Sequence, residues 1–197
     1  MTAPIAAAFR RTSVLLAAMA EDTALHGQIA RAAATCVGAL RAGGTILWCG
    51  NGGSAADAQH LAAELVGRLA RERPGLAAVA LTADTAALTA IGNDYGFARV
   101  FARQVEALGR PVDVLVALST SGRSANVIAA LEMARAKGLA RIGLTGRGGG
   151  AMASLTEPCL CVPADDTQMI QEAHIVIGHV LCGLIENAIA GPTSASE

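Results

Sequence analysis

The chain has 197 residues with 15 Lys+Arg against 16 Asp+Glu; 53% of it is hydrophobic but only 3% aromatic. This near-neutral balance, without basic–aromatic interleaving, argues against nucleic acid as a ligand. No uninterrupted apolar run reaches the ~18 residues of a membrane span, so no membrane partner is expected. A single domain over 1–197 is expected, with a core of Ala, Val, Leu and Ile.

The first forty residues predict two helices, 4–20 and 22–42, with Gly43-Gly44 stopping the second. In the first, Ile5, Phe9, Thr12, Leu16 and Met19 recur at spacings of four and three, one amphipathic stripe. Arg10-Arg11 and Ala18-Met19-Ala20 are therefore read as helix rather than as parts of a secretory leader.

A strand over 45–49 then empties into Gly50-Asn51-Gly52-Gly53-Ser54. The loop offers N–H groups and a hydroxyl at the start of a helix over 53–69, where anions bind well. His60 and Glu64, four residues apart on that helix, share a face. An anion cradle followed by an imidazole and a carboxylate suits chemistry on a phosphorylated small molecule. Two plainer readings stand beside it. Gly50 to Ala55 fits the loose dinucleotide pattern G-x-G-x-x-A with Asp84 as the ribose acid, and a His–Glu pair at this spacing is often simply solvated.

A polar hinge follows at 71–75, then a strand over 77–82, a helix beginning near Asp84, an Asn93-Asp94-Tyr95-Gly96 turn and a helix over 97–108. A strand over 113–118 leads into Ser119-Thr120-Ser121-Gly122-Arg123-Ser124, ahead of a helix over 123–137. Four hydroxyls, a glycine and an arginine make a phosphate donor set without a Walker lysine; a surface Ser/Gly turn is the bland alternative. A strand over 140–145, a flexible Gly146–Gly150 segment, a short strand over 158–162 and a long helix over 167–190 complete the series. Strands alternating with helices imply an α/β fold, a three-layer αβα sandwich around a five-stranded parallel sheet. The two N-terminal helices (1–42) precede the sheet core (43–190), and 191–197 is a tail. Both polar loops fall at strand C-terminal ends, where ligands sit in open parallel sheets.

The last helix is apolar almost all round, which suggests an oligomer interface, with Leu181 and Leu184 both read as interface positions. Gln171, His174 and His179 interrupt it and need partners, satisfied core histidines being the simpler reading. Gln171 and His179 stand eight residues apart, about 12 Å along the axis, so both reach one ion only at full stretch or from different subunits. Five cysteines, an odd number on apolar segments, indicate free thiols in a reducing compartment, so a cytoplasmic location is expected. Cys159 and Cys161 share a strand face and are read as core in preference to a metal site.

Taken together, several ordered motifs resemble the SIS (sugar isomerase) domain family, and within it the phosphoheptose isomerases. The carrying pieces are Cys49-Gly50-Asn51-Gly52-Gly53-Ser54, His60 with Glu64, Arg73-Pro74-Gly75, and Gly92-Asn93-Asp94-Tyr95-Gly96-Phe97. Ser119-Thr120-Ser121-Gly122, Ser124-Ala125-Asn126-Val127-Ile128 and Ile170-Gln171-Glu172-x-His174 continue the match over about residues 40–190. The resemblance implies interconversion of sedoheptulose 7-phosphate and D-glycero-D-manno-heptose 7-phosphate through an enediol. It implies phosphate binding by Ser119, Thr120, Ser121 and Ser124. It implies sugar contacts from Asn51, Gly52, Gly53, Asn93, Asp94 and Gln171, with Ser54 and Glu64 also at the substrate. It further implies one zinc per chain at His60, Glu64, Gln171 and His179, a catalytic pair Glu64 and His179, and a homotetramer. Gln168-Met169 and Ala55-Ala56 depart from the family pattern, which bears on substrate preference more than on reaction class. The alternatives are a non-catalytic SIS module, which need not keep His60, Glu64 and His179, and a nucleotide-dependent oxidoreductase, which leaves the Ser119–Ser124 loop without a role.

Overall fold

The computed structural model describes residues 2–191, so most of the tail lies outside the described residues. Five short strands, β1 (Ile46–Cys49), β2 (Ala78–Ala80), β3 (Val114–Ser119), β4 (Ala140–Thr145) and β5 (Cys159–Cys161), form one parallel sheet in the order β2-β1-β3-β4-β5. Seven α-helices cover it: α1 (Thr2–Ala20), α2 (Thr23–Arg41), α3 (Gly53–Val66), α4 (Thr85–Tyr95), α5 (Val100–Leu108), α6 (Ala125–Ala136) and α7 (Thr167–Ala190). β1 and β3 are buried at every position, because helices close both faces. One core lies under α1, α2, α3 and α7, and the other under α4, α5 and α6. The expected three-layer sandwich is therefore present.

The strand order matters for function. After β1 the chain moves outward to β2, and then it returns to place β3 on the other flank of β1. The loops that leave β1 and β3 diverge there and open a crevice at the C-terminal edge of the sheet.

Four local expectations are corrected. Asn93, Asp94 and Tyr95 form the last turn of α4 rather than a loop, and Gly96, at φ 81°, ends the helix before a 3₁₀ turn over Phe97–Arg99. The Gly146–Gly150 segment is not loose. Gly146 donates to the Thr120 carbonyl and Arg147 to that of Ala164, and a Cβ on Gly146 would meet the Ile170 side chain at 2.5 Å. Arg73 is no hinge residue, since its side chain is 2% exposed, donates to the Leu65, Gly67, Pro74 and Glu64 carbonyls, and pairs with Glu186 at 3.2 Å. The α1 stripe packs within the chain only in its C-terminal half: Met19 is buried and Leu16 lies against the core, but Ile5 and Phe9 are 57% and 72% exposed.

α7 is also resolved more finely. By length and composition it is apolar enough to cross a membrane, yet one side packs on α2 and α3 inside the fold. Leu181 is fully buried in the chain's own core, whereas Val176, Val180 and Leu184 form an outward stripe at every fourth residue. Leu181 is therefore a core position, and only Leu184 of the expected pair faces out.

Candidate functional site

The β1 loop bends because Gly52, at φ 56°, takes a backbone conformation that side chains rarely adopt. Gly53 lets the Gln171 side chain approach the loop closely, since a Cβ there would stand 2.7 Å from the Gln171 amide oxygen. Asn51 exchanges amide hydrogen bonds with Asn126 at the start of α6, 2.8 Å in each direction. This reciprocal pair ties the β1 and β3 loops together and occupies the Asn51 side chain that was expected at the sugar. Asn126 carries no local signal of this role, because no spacing along the chain reveals a partner 75 residues away.

Between the loops lies a cleft of about 250 Å³. Its walls are Asn51, Gly52, Gly53 and Ser54 from one side, and Ser119, Thr120 and Ser124 from the other. Gln171 and Thr167 close it from α7. Ser119 and Ser124 hydroxyls touch at 2.9 Å, and the Ser121 hydroxyl lies 3.5 Å from that of Ser119 and accepts from the Arg123 N–H. α2, α4 and α7 are capped by Asp22, Asp84 and Asp166, but α3 and α6, whose N-termini open on this cleft, have no side-chain cap. Their free N–H groups and positive dipole ends are left for an anion. Asp84, used as a cap, is not poised as a ribose acid. Larger hollows exist, including one of 490 Å³ between α4 and α5, but they lack this convergence of hydroxyls and helix ends.

The second part of the site stands farther along α3. His60 Nε2 lies 3.2 Å from Glu64 Oε1 and 2.8 Å from His179 Nε2, and the three ligand atoms all fall within 4.8 Å of one another. Zinc bonds of about 2.0–2.2 Å at tetrahedral angles separate neighbouring ligand atoms by roughly 3.3 Å, so two imidazoles and a carboxylate spaced in this way fit the ion and leave one position open. Asp57, one turn before His60, is a site residue missed from the sequence, although its i−3 spacing was the available signal. Burial raises its carboxyl above the ordinary value against the opposing pull of His60 and His179, and one carboxyl oxygen is buried without a hydrogen-bond partner.

α7 runs beside α3 in the same sense. Gln171 reaches Ser54 at 3.4 Å, and His179 reaches His60 two turns later. Gln171 thus stands at the cleft end, and among the described residues no hydrogen bond joins it to His60, Glu64 or His179. Asn93 and Asp94 do not line the cleft; both are exposed, with the Asn93 amide bonded to the Asp94 carboxylate at 2.7 Å. His174 is fully buried with neither ring nitrogen in hydrogen-bond geometry, which corrects the satisfied-histidine reading. Burial drives its imidazole down to about 4, partly offset by the Thr145 backbone, so it is neutral at physiological pH.

Comparison with known proteins places the chain in a family. The SIS domain pattern matches residues 9–146. The phosphoheptose isomerase of Rhodospirillum rubrum is 61% identical over 161 residues, 82% of this chain and 86% of that protein. The structure of phosphoheptose isomerase from Neisseria gonorrhoeae superposes with a TM-score of 0.87 at 47% identity, covering 94% of this chain and 98% of that one. A phosphoheptose isomerase structure from Francisella tularensis gives 0.88 at 41% identity over 93% and 97%. With a crevice at the strand switch point and relatives this close over nearly its full length, the chain belongs to the SIS-domain family and, within it, to the phosphoheptose isomerases, a group of phosphosugar isomerases.

Proposed function

We propose that the chain interconverts sedoheptulose 7-phosphate and D-glycero-D-manno-heptose 7-phosphate by proton transfer through an enediol. The observation that carries this reading is the separation of two chemistries along one helix. The phosphate cleft begins at Gly53, and His60 lies seven residues on, about 10 Å along the axis. A 7-phosphate held in the cleft by Ser119, Thr120, Ser121 and Ser124 extends its C1 and C2 atoms toward Glu64 and His179. Glu64 takes the C1 proton and returns it to C2, while His179 moves the proton between the two oxygens. Asn51, Gly52, Gly53, Ser54 and Gln171 border the sugar between these ends. When bound at His60, Glu64 and His179, zinc would polarise the sugar carbonyl. Turnover of sedoheptulose 7-phosphate in a coupled assay, with and without chelator, tests the reading; absence of turnover by the metal-replete protein overturns it.

Removing the hydroxyls of Ser119, Thr120 and Ser124 together is expected to raise KM for the sugar phosphate by at least tenfold, since each charge-assisted hydrogen bond contributes about 1.5–3 kcal/mol. Unchanged KM would place the phosphate elsewhere. His60→Ala is expected to lower zinc from about one ion per chain toward none by elemental analysis, a readout that needs no activity.

The assembly we propose is a homotetramer in a reducing cytoplasm, to which the five free thiols are suited. The stripe of Val176, Val180 and Leu184 on α7 faces outward, with Val176 and Val180 beside Leu16 and Met19 at the end of α1, and a second copy presents the matching surface. Contact between copies also supplies the route by which Asn93 or Asp94 of one chain reaches the site of another. Val180→Arg is expected to yield smaller species by sedimentation with loss of activity, whereas an active monomer would remove the interface from the picture.

A further inference from the structure

Cys159 and Cys161 lie outside the site just described, on the edge strand β5. Their burial alternates with that of Leu160: the leucine enters the core, and both thiols are half-buried on the opposite face. The two sulfurs are 3.8 Å apart. A centre with sulfur bonds of about 2.3 Å spans that gap near the tetrahedral angle. Cys36 and Cys182, the other neighbouring thiols, are fully buried.

The pair is also wired to the phosphate loop. Sheet register aligns Ser119 of β3 with Thr145 of β4, and Thr145 with Cys161 of β5, so the three side chains share one face in successive strands. Thr145 stands under the loop, since a Cβ on Gly122 would meet its hydroxyl at 2.9 Å. Gly149 lies between the two features. A Cβ there would meet the Cys161 sulfur at 3.3 Å, and its own carbonyl already lies against Gly122. Bulk added at Cys161 therefore pushes on the segment that backs Ser119–Ser124.

We propose that Cys159 and Cys161 form a dithiol site for a three-coordinate thiophilic centre, best matched by a trivalent organoarsenical, and that its occupancy weakens phosphate binding in the cleft. Burial and the neighbouring Cys159 push the Cys161 thiol up to about 11, which disfavours divalent ions that require two thiolates. The organoarsenical needs no preformed thiolate and only two protein ligands. Each thiol gives up its proton and gains a bond to arsenic, and the two hydroxyls on arsenic leave as two waters. No oxidation state changes, so no oxidant is involved.

The coupling arm rests on the phosphate-loop reading; the site itself does not. The test titrates the full-length protein with phenylarsonous acid and reads the covalent adduct by intact mass. One adduct per chain is expected, reversed by a dithiol but not by a monothiol. It is lost in Cys159→Ser, Cys161→Ser and the milder Cys159→Ala. Persistence of the adduct in the double Cys159→Ser/Cys161→Ser variant would assign it elsewhere and overturn the site. Because coupling is reciprocal, saturating inorganic phosphate is expected to weaken arsenical affinity several-fold. Equal affinity with and without phosphate would overturn the coupling, and this readout stands whether or not the chain turns over sedoheptulose 7-phosphate.

Discussion

Glu64→Gln is expected to lower kcat by at least 10²-fold, about 2.7 kcal/mol of transition-state stabilisation, with KM for the sugar phosphate little changed. The substitution keeps the shape of a side chain that is 20% exposed and touches His60 at 3.2 Å, but removes its capacity to accept a proton. The phosphate cleft lies roughly two turns or more away, near the start of α3, so ground-state binding has no reason to fall. Steady-state kinetics on metal-replete protein, with zinc content measured alongside, separates loss of the base from loss of the ion. Near-normal kcat at full zinc content would remove Glu64 from the proton transfer.

The largest effect on stability is expected at Arg73. Its guanidinium and the Glu186 carboxylate are both 2% exposed, and Glu186 also accepts the N–H groups of Leu69, Ala70 and Arg71. Arg73→Met leaves a buried carboxylate with its cation gone and strips four backbone carbonyls of their donor, so a loss of about 3–5 kcal/mol is expected by urea unfolding. Activity should fall with it, because one of those carbonyls belongs to Glu64. Burial pushes the Glu186 carboxyl upward, but the donors of Ala70, Leu69 and Arg71 and the Arg73 charge outweigh it, and the group is held below its ordinary value. Its stabilisation is then fully present above that ordinary value of 4.5 and is lost as pH falls below it. Glu186→Gln should flatten this acid limb of the stability profile. An Arg73→Met protein as stable as the parent would mean that the pair contributes no net stability.

Some of this was legible in the sequence because it is written locally. The alternation of apolar runs with helical periods gave five parallel strands, as the described residues show. The two polar loops were visible because glycine and hydroxyl residues follow strands directly, and His60 with Glu64 because helical spacing alone sets their common face. Arg73 was misread for the opposite reason. Within 71–75 it looks like solvated charge, and only Glu186, far along the chain on α7, makes its burial tolerable. Asn93 to Gly96 carries turn composition, yet α4 continues through most of it until Gly96 supplies the left-handed residue that ends the helix.

The sequence by itself determined the order of elements, the loops that face the crevice and the ligand types available to an ion. Tertiary structure decided which of those residues meet. The parallel course of α3 and α7 sends Gln171 to Ser54 and His179 to His60, and the adjacency of β1 and β3 brings Asn51 to Asn126. Tertiary packing also divided an almost uniformly apolar α7 into a core face at Leu181 and an outward stripe at Val180. The physical reason is common to all of these. Periodicity fixes direction within one element, but contact between elements depends on how buried faces pack across sequence separations that no local pattern encodes.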